Sequence, residues 1–161
     1  MTKSADDRTG GLVYLACAVD KVKPGHYKKI VDEVMSSASK HGVRMALFMP
    51  GLAYFVPEGG SGSLTIQRNI RHVNEAALLS SDVLLVIYEP GVETWGTSQE
   101  VRLAGENGIP VFVVNTGVLS MNGDVSGLPM YLDQFTDVCF PSLDLAMVQI
   151  KYVLSGVEVE E

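Results

Sequence analysis

The sequence predicts an α/β fold of the flavodoxin-like, Rossmann-like three-layer kind: a five-stranded parallel sheet of order 2-1-3-4-5 with helices on both faces, built as one domain over residues 1–161. Three observations predict it. Short apolar runs alternate with longer segments of helical periodicity. The runs are apolar on both faces, as strands between two helix layers must be. Five of them in roughly 150 residues match the strand count of this fold.

The first run, Gly11-LVYLACAV, has no polar face and reads as a buried strand. Residues 26–40 follow with Tyr27, Ile30, Val31, Val34, Met35 and Ala38 on one helical face. Val43 to Met49 is the second strand, ended by Pro50, which cannot donate to a ladder. The loop Gly59-GSGS opens an amphipathic helix from Leu64 to Ser80. Asp82-VLLVIY is the third strand, Ser98 to Asn107 the next helix, and Pro110-VFVVN the fourth strand. A loop rich in Gly, Ser and Asn leads to the short run Thr136-DVCF and a last helix from Leu143 to Leu154. Residues 1–10 and 156–161 are expected to be flexible ends.

Composition narrows the function classes. With 12 basic against 19 acidic side chains the formal charge is −7, which disfavours a nucleic-acid polymer as partner, because Lys and Arg neutralising phosphates dominate that affinity. At 47% hydrophobic the chain is too apolar to be disordered. No stretch approaches the roughly 20 apolar residues of a membrane span, and the polar start MTKSADDRTG lacks a signal peptide's basic and apolar regions. A cytoplasmic protein with no membrane partner is expected. Cys17 and Cys139 lie in apolar runs without metal or CxxC spacing and read as buried free thiols. His26, His41 and His72 have no partner at metal or triad spacing, so they read as surface or satisfied histidines, and no metal site is expected. Ser61, Ser63 and Ser98 lack a nucleophile elbow.

Right-handed crossovers bring the ends of strands one, three and four to one sheet edge, where open sheets bind ligands near the switch point. The segments to search are Cys17 to Lys23, Tyr88 to Glu100 and Asn115 to Met130. In the second, Gly96-Thr97-Ser98-Gln99-Glu100 starts a helix. Glu100 is then expected in a first helical turn, where dipole and free amides favour its ionised form and suit a nucleophile or an electrostatic stabiliser. Thr97-x-x-Glu100 equally matches a capping box, a purely structural use.

The third strand, then Gly96-Thr97-x-x-Glu100, then an alanine-containing helix and a Gly-Ile-Pro-Val strand, resembles the nucleoside 2-deoxyribosyltransferase family and its nucleotide N-glycoside hydrolase relatives. Val13-Tyr-Leu-Ala is similar to that family's Tyr-Leu-Ala-Gly start. Ala77-LLSSDVLLVIY is similar to its helix ending in Ser-Asp before strand three; the matches cover residues 12–115. The resemblance implies that Glu100 is the nucleophile attacking the anomeric carbon, that the substrate is a (deoxy)nucleoside or nucleoside 5′-monophosphate, and that the sugar passes to water or another base. That chemistry needs a carboxylate because oxocarbenium character develops as the base leaves. No cofactor is implied. A homo-oligomer is, with the neighbouring chain helping to complete each pocket; Met121, Leu128, Met130 and Tyr131 suit such an apolar contact. A second resemblance, to the cytokinin nucleotide phosphoribohydrolases with Pro-Gly-Gly-x-Gly-Thr-x-x-Glu, is incomplete, because Val-Glu-Thr-Trp separates Pro90-Gly91 from Gly96.

Around Glu100, the expected substrate-binding residues are Tyr14, Asp20, Asn74, Trp95, Gly96 and Thr97. Gly96 and Thr97 shape the turn. Trp95 stacks on a base or packs the loop. Tyr14 aims its hydroxyl at the site or fills the core, and Asp20 suits sugar hydroxyls. Gly59-GSGS cradles a phosphate with its amides or is a plain loop, and Lys21 and Lys23 are phosphate neighbours or solvated. The chain departs from the family pattern at Asn74, where an Asp is usual, at Thr94, where an Asp or Ser is common, and at Ala16-CAVD. These replacements motivate the alternative, a nucleotide-binding or sensor protein without catalysis. A flavodoxin-like electron carrier fits less well, since Cys17-AVDKVKPG lacks a Ser/Thr/Gly-rich phosphate loop.

Overall fold

Side-chain alternation along the strands decides which helix covers which face. The computed structural model describes residues 10–17, 24–50, 64–89, 95–115 and 128–156. Within them lie strands β1 (Gly11–Cys17), β2 (Met45–Phe48), β3 (Val83–Tyr88), β4 (Val111–Asn115) and β5 (Val138–Phe140). The helices are α1 (Pro24–Lys40), α2 (Leu64–Leu79), α3 (Trp95–Glu106), α4 (Met130–Asp133) and α5 (Leu143–Ser155). The strands pair in parallel in the order β2-β1-β3-β4-β5, as the sequence predicts.

Val13, Leu15, Val83, Leu85, Phe112 and Val114 point to one face and pack under α1 and α5, against Ile30, Val34, Met147 and Ile150. The intervening residues Tyr14, Ala16, Leu84, Val86, Val111 and Val113 point to the other face, under Leu78 of α2, Val101 and Ala104 of α3 and Leu132 of α4. Both layers of strand side chains are fully or nearly fully buried. Burying even one Leu or Val contributes about 1.5–3 kcal/mol, which accounts for the continuous apolar runs.

Ser81-Asp82 and Thr136-Asp137 do the same job at two places. The Ser81 and Thr136 hydroxyls donate to the carbonyls of Ala77 and Leu132, 2.7 and 2.6 Å away, closing the helix that has just ended. Each Asp then exchanges two bonds with the start of the neighbouring strand. The N–H of Asp82 donates to the Leu12 carbonyl and its Oδ2 accepts from the Leu12 N–H, both at 2.8 Å. Asp137 does likewise with Val111, at 2.9 and 2.7 Å. The Ser-Asp pair that carries part of the family resemblance is therefore a strand-register device.

Several boundaries differ from the expected ones. β2 begins at Met45 rather than Val43, because Gly42 adopts φ 67° and the Val43 N–H bonds back to the Ala38 carbonyl, so Val43 belongs to the helix exit. α3 begins at Trp95, not Ser98: Gly96 and Thr97 lie inside the helix. Both belong to its first turn, and the helix is anchored further along by the buried Val101 and Ala104. α4, unexpected, is held by the buried Leu132, and Thr136 and Asp137 precede β5 rather than belonging to it. Cys17 is a buried free thiol, whereas Cys139 is only half-buried.

Candidate active site

Tyr14 and Glu100, 86 residues apart in sequence, meet on the α2/α3 face of the sheet: the Tyr14 hydroxyl donates to Glu100 Oε1 at 2.6 Å. Tyr14 is fully buried among the core residues of that face, yet its hydroxyl reaches the helix above. Both readings of Tyr14 thus hold together, a core ring with a hydroxyl at the candidate site. At this O–O distance the bond belongs to the short, strong class formed with a carboxylate.

Glu100 is not where the helix-start reading put it. It is the sixth residue of α3, beyond the first turn, which holds no acidic residue, and Thr97 is the third residue rather than the cap. The capping-box reading fails with it. The dipole argument also gives the wrong sign: burial pushes the Glu100 carboxyl up from 4.5 to about 7, while the Tyr14 bond pulls it down. Desolvation wins because a half-buried carboxylate loses water that one donor does not replace. Near neutral pH the group is poised between its acid and base forms.

Further along the sheet edge, Cys17 closes β1 and pairs in register with Ile87, and Tyr88 with Asn115. Burial, then the charges of Glu100 and Glu89, push the Cys17 thiol up to about 12. It stays protonated and is no nucleophile. The Tyr88 hydroxyl is raised by burial and by nearby Tyr131.

A cleft of about 560 Å³ opens between α2 and α3, lined by Ile70, Asn74 and Leu78 on one side and Gln99, Glu100 and Leu103 on the other. Asn74 thus shares a cavity with Glu100. Two i,i+4 ion pairs form its rim, Arg71–Glu75 at 2.9 Å and Arg102–Glu106 at 2.8 Å. Gln99 and both arginines are not among the site residues the sequence singles out; the repeated Arg-x-x-x-Glu spacing on two helices is the signal that marks the arginines. Thr97 is buried in the first turn of α3. Trp95 and Gly96 open that helix, and of their side-chain surroundings nothing is described. Asp20, Lys21, Lys23, Thr94, Met121 and the Gly59-GSGS loop lie outside the described residues.

A larger groove, about 740 Å³, runs between α1 and the start of α5 on the opposite face and contains none of the expected site residues. One of its acids, Asp144, accepts from Ser37, Lys40 and the His41 ring at 2.7, 2.9 and 3.1 Å. His41 is thus a satisfied histidine, as expected, and His72 is exposed. Among the described residues no His, Cys, Asp or Glu group could hold a metal ion, and no helix is long and apolar enough to cross a membrane.

A 2-deoxyribosyltransferase from the psychrotolerant bacterium Bacillus psychrosaccharolyticus superposes with a TM-score of 0.62 over 84% of this chain and 90% of its own, at 16% identity. The chain shares its fold with a 2-deoxyribosyltransferase. A conserved protein from Enterococcus faecalis V583 gives 0.63 over 88% and 98% at 15% identity, and the solution structure of BlsM gives 0.53 over 92% of each chain at 16%. No family model matches the chain, and no curated protein matches it. The likeness to the 2-deoxyribosyltransferase is thus one of fold.

Proposed function

We propose that the protein cleaves the N-glycosidic bond of a (deoxy)nucleoside or nucleoside 5′-monophosphate, with Glu100 as nucleophile. The observation that carries this reading is the 2.6 Å Tyr14–Glu100 bond, which tunes a half-buried carboxylate in a cleft shared with Asn74. The fold shared with a 2-deoxyribosyltransferase, a biocatalyst for nucleoside synthesis, supports it.

In this reading Tyr14 holds Oε1, so attack falls to Oε2. The Glu100 carboxylate bonds to C1′ of the sugar as the C1′–N bond breaks; that bond's electron pair stays on the base nitrogen, which takes a proton from solvent. Water or the nitrogen of a second base then attacks C1′, the ester to Glu100 breaks, and the carboxylate is regenerated; the attacking group's proton goes to solvent. Asn74 offers both a donor and an acceptor to the base or sugar. Asp20, Trp95, Gly96 and Thr97 complete the substrate contacts. Met130 and Tyr131, 76% and 41% exposed on α4, support a homo-oligomer, which sedimentation checks.

The test is incubation with a panel of nucleosides and monophosphates, with released base read by chromatography. Release by the wild type that falls by at least about 10³-fold in Glu100→Gln is expected. Tight binding without release by the wild type on any member of the panel would replace this reading with that of a binding protein.

A further inference from the structure

We propose that Phe48 is a positioning residue: its ring sets the tilt of the Tyr14 phenol and thereby holds the hydroxyl on Glu100. The catalytic consequence rests on the function proposed above; the positioning itself does not.

Three observations lead here. Phe48 is the Cα partner of Tyr14 across the β1–β2 pairing, so the two side chains stand beside each other on one sheet face. Their ring centroids are 5.3 Å apart with planes inclined at 33°, a direct aromatic contact. On the other side, the in-register neighbour of Tyr14 is Leu84 of β3, which gives the phenol no ring to lie against. An aromatic contact to the Tyr14 ring thus comes from the β2 side, from the last residue of an edge strand that is itself only half-buried.

Tilt matters because the hydroxyl lies at the far end of a rigid ring. An O–H···O bond is confined to a window of about 0.5 Å, so a small rotation about Cα–Cβ takes the hydroxyl out of range. Neighbouring charged or titratable groups come from several elements. Tyr14 and Cys17 lie on β1, Glu89 follows β3, Arg71 and Glu75 line the cleft from α2, and Arg102 and Glu106 share α3. Tyr14 is the one through which Phe48 acts. A smaller apolar residue at position 48 would fill part of the space but remove the ring face that the phenol lies against on the β2 side.

The decisive measurement is a carbon-13 NMR titration of the Glu100 side-chain carboxyl, assigned by its disappearance in Glu100→Gln. It needs no substrate, so it decides the positioning even if no base is ever released. Phe48→Leu and Phe48→Met should each raise the Glu100 midpoint by about half a pH unit, while Phe48→Tyr, which keeps the ring, should leave it unchanged. In a Tyr14→Phe background the same Phe48 changes should add nothing, because the hydroxyl they act through is gone. Where turnover is measurable, the acidic limb of kcat/KM moves with the midpoint while KM stays put. Equal shifts in both backgrounds, or a lowered Tm with an unmoved midpoint, would overturn the proposal and leave Phe48 a core residue. Two small variants are used so that one that folds is enough.

Discussion

Glu100 and Asp144 occupy opposite faces of one sheet, and their surroundings drive them in opposite directions. Asp144, on the α1/α5 side, is half-exposed and accepts from Ser37, Lys40 and His41, which hold its carboxyl well below the usual range. Glu100, on the α2/α3 side, accepts from Tyr14 and is pushed up to about 7 by burial. A carboxylate given several donors at a wet surface ties elements together. One that is desolvated with a single strong donor is left poised between its acid and base forms, and a perturbed group of this kind in a cleft is a candidate for a functional site. Charge and residue type alone do not separate the two.

Removing Glu100 should produce the largest effect and break the comparison most directly. Beyond the loss of base release, Glu100→Gln has a stability signature with a definite sign. The folded carboxyl titrates above its unfolded value of 4.5, so the unfolded chain loses its proton first and wild-type stability falls as pH rises from about 4.5 through about 7. The variant escapes that loss. Its stability should match the wild type near pH 5 and exceed it above pH 8 by an amount on the order of 1–3 kcal/mol, read as a higher Tm. Thermal melts across pH check this; a variant destabilised equally at every pH would mean that Glu100 contributes through packing and its Tyr14 bond rather than through its charge.

Tyr14→Phe comes next. It deletes the bond that lowers the Glu100 carboxyl, so the acidic limb of the rate profile should move to higher pH by about one unit, with rates depressed about tenfold at pH 6 and nearly restored on the alkaline plateau. A profile that drops uniformly instead would assign Tyr14 to substrate binding.

The strand-entry aspartates give smaller, purely structural effects, and they differ from each other. Asp137→Ala strands the N–H of Val111, which is fully buried, and should cost about 2–3 kcal/mol. Asp82→Ala frees the N–H of half-buried Leu12, which water can reach, and should cost about 1 kcal/mol. Chemical denaturation measures both.

What was legible in the sequence followed the same division. Strands buried on both faces announce themselves as unbroken apolar runs, which is why β1, β3 and β4, the sheet order and the edge carrying Cys17, Tyr88 and Asn115 were all readable. Turn chemistry misled locally: Gly96 read as punctuation but lies within α3, and the helix exit at Gly42 took Val43 from β2. Glu100 could be singled out, but its ionisation could not. The local dipole pointed one way, and the desolvation that outweighs it is set by tertiary packing. The Tyr14–Glu100 bond and the Phe48 contact join residues on separate elements, so no spacing rule reveals them.

Asp144→Asn is the mildest change and sharpens the contrast by its pH sign. Because the native carboxyl is held below its unfolded value of 3.8, its contribution is present above about pH 4 and lost as pH falls, the reverse of Glu100. The melting gap between wild type and Asp144→Asn should therefore be small at neutral pH, shrink with added salt, and close below about pH 4. Asp144 and its donors are solvent-reached, so screening weakens every bond in that cluster, whereas the same salt series should leave the Glu100 midpoint nearly fixed. A salt-sensitive Glu100 midpoint would mean that long-range charge, rather than burial and Tyr14, sets its acidity.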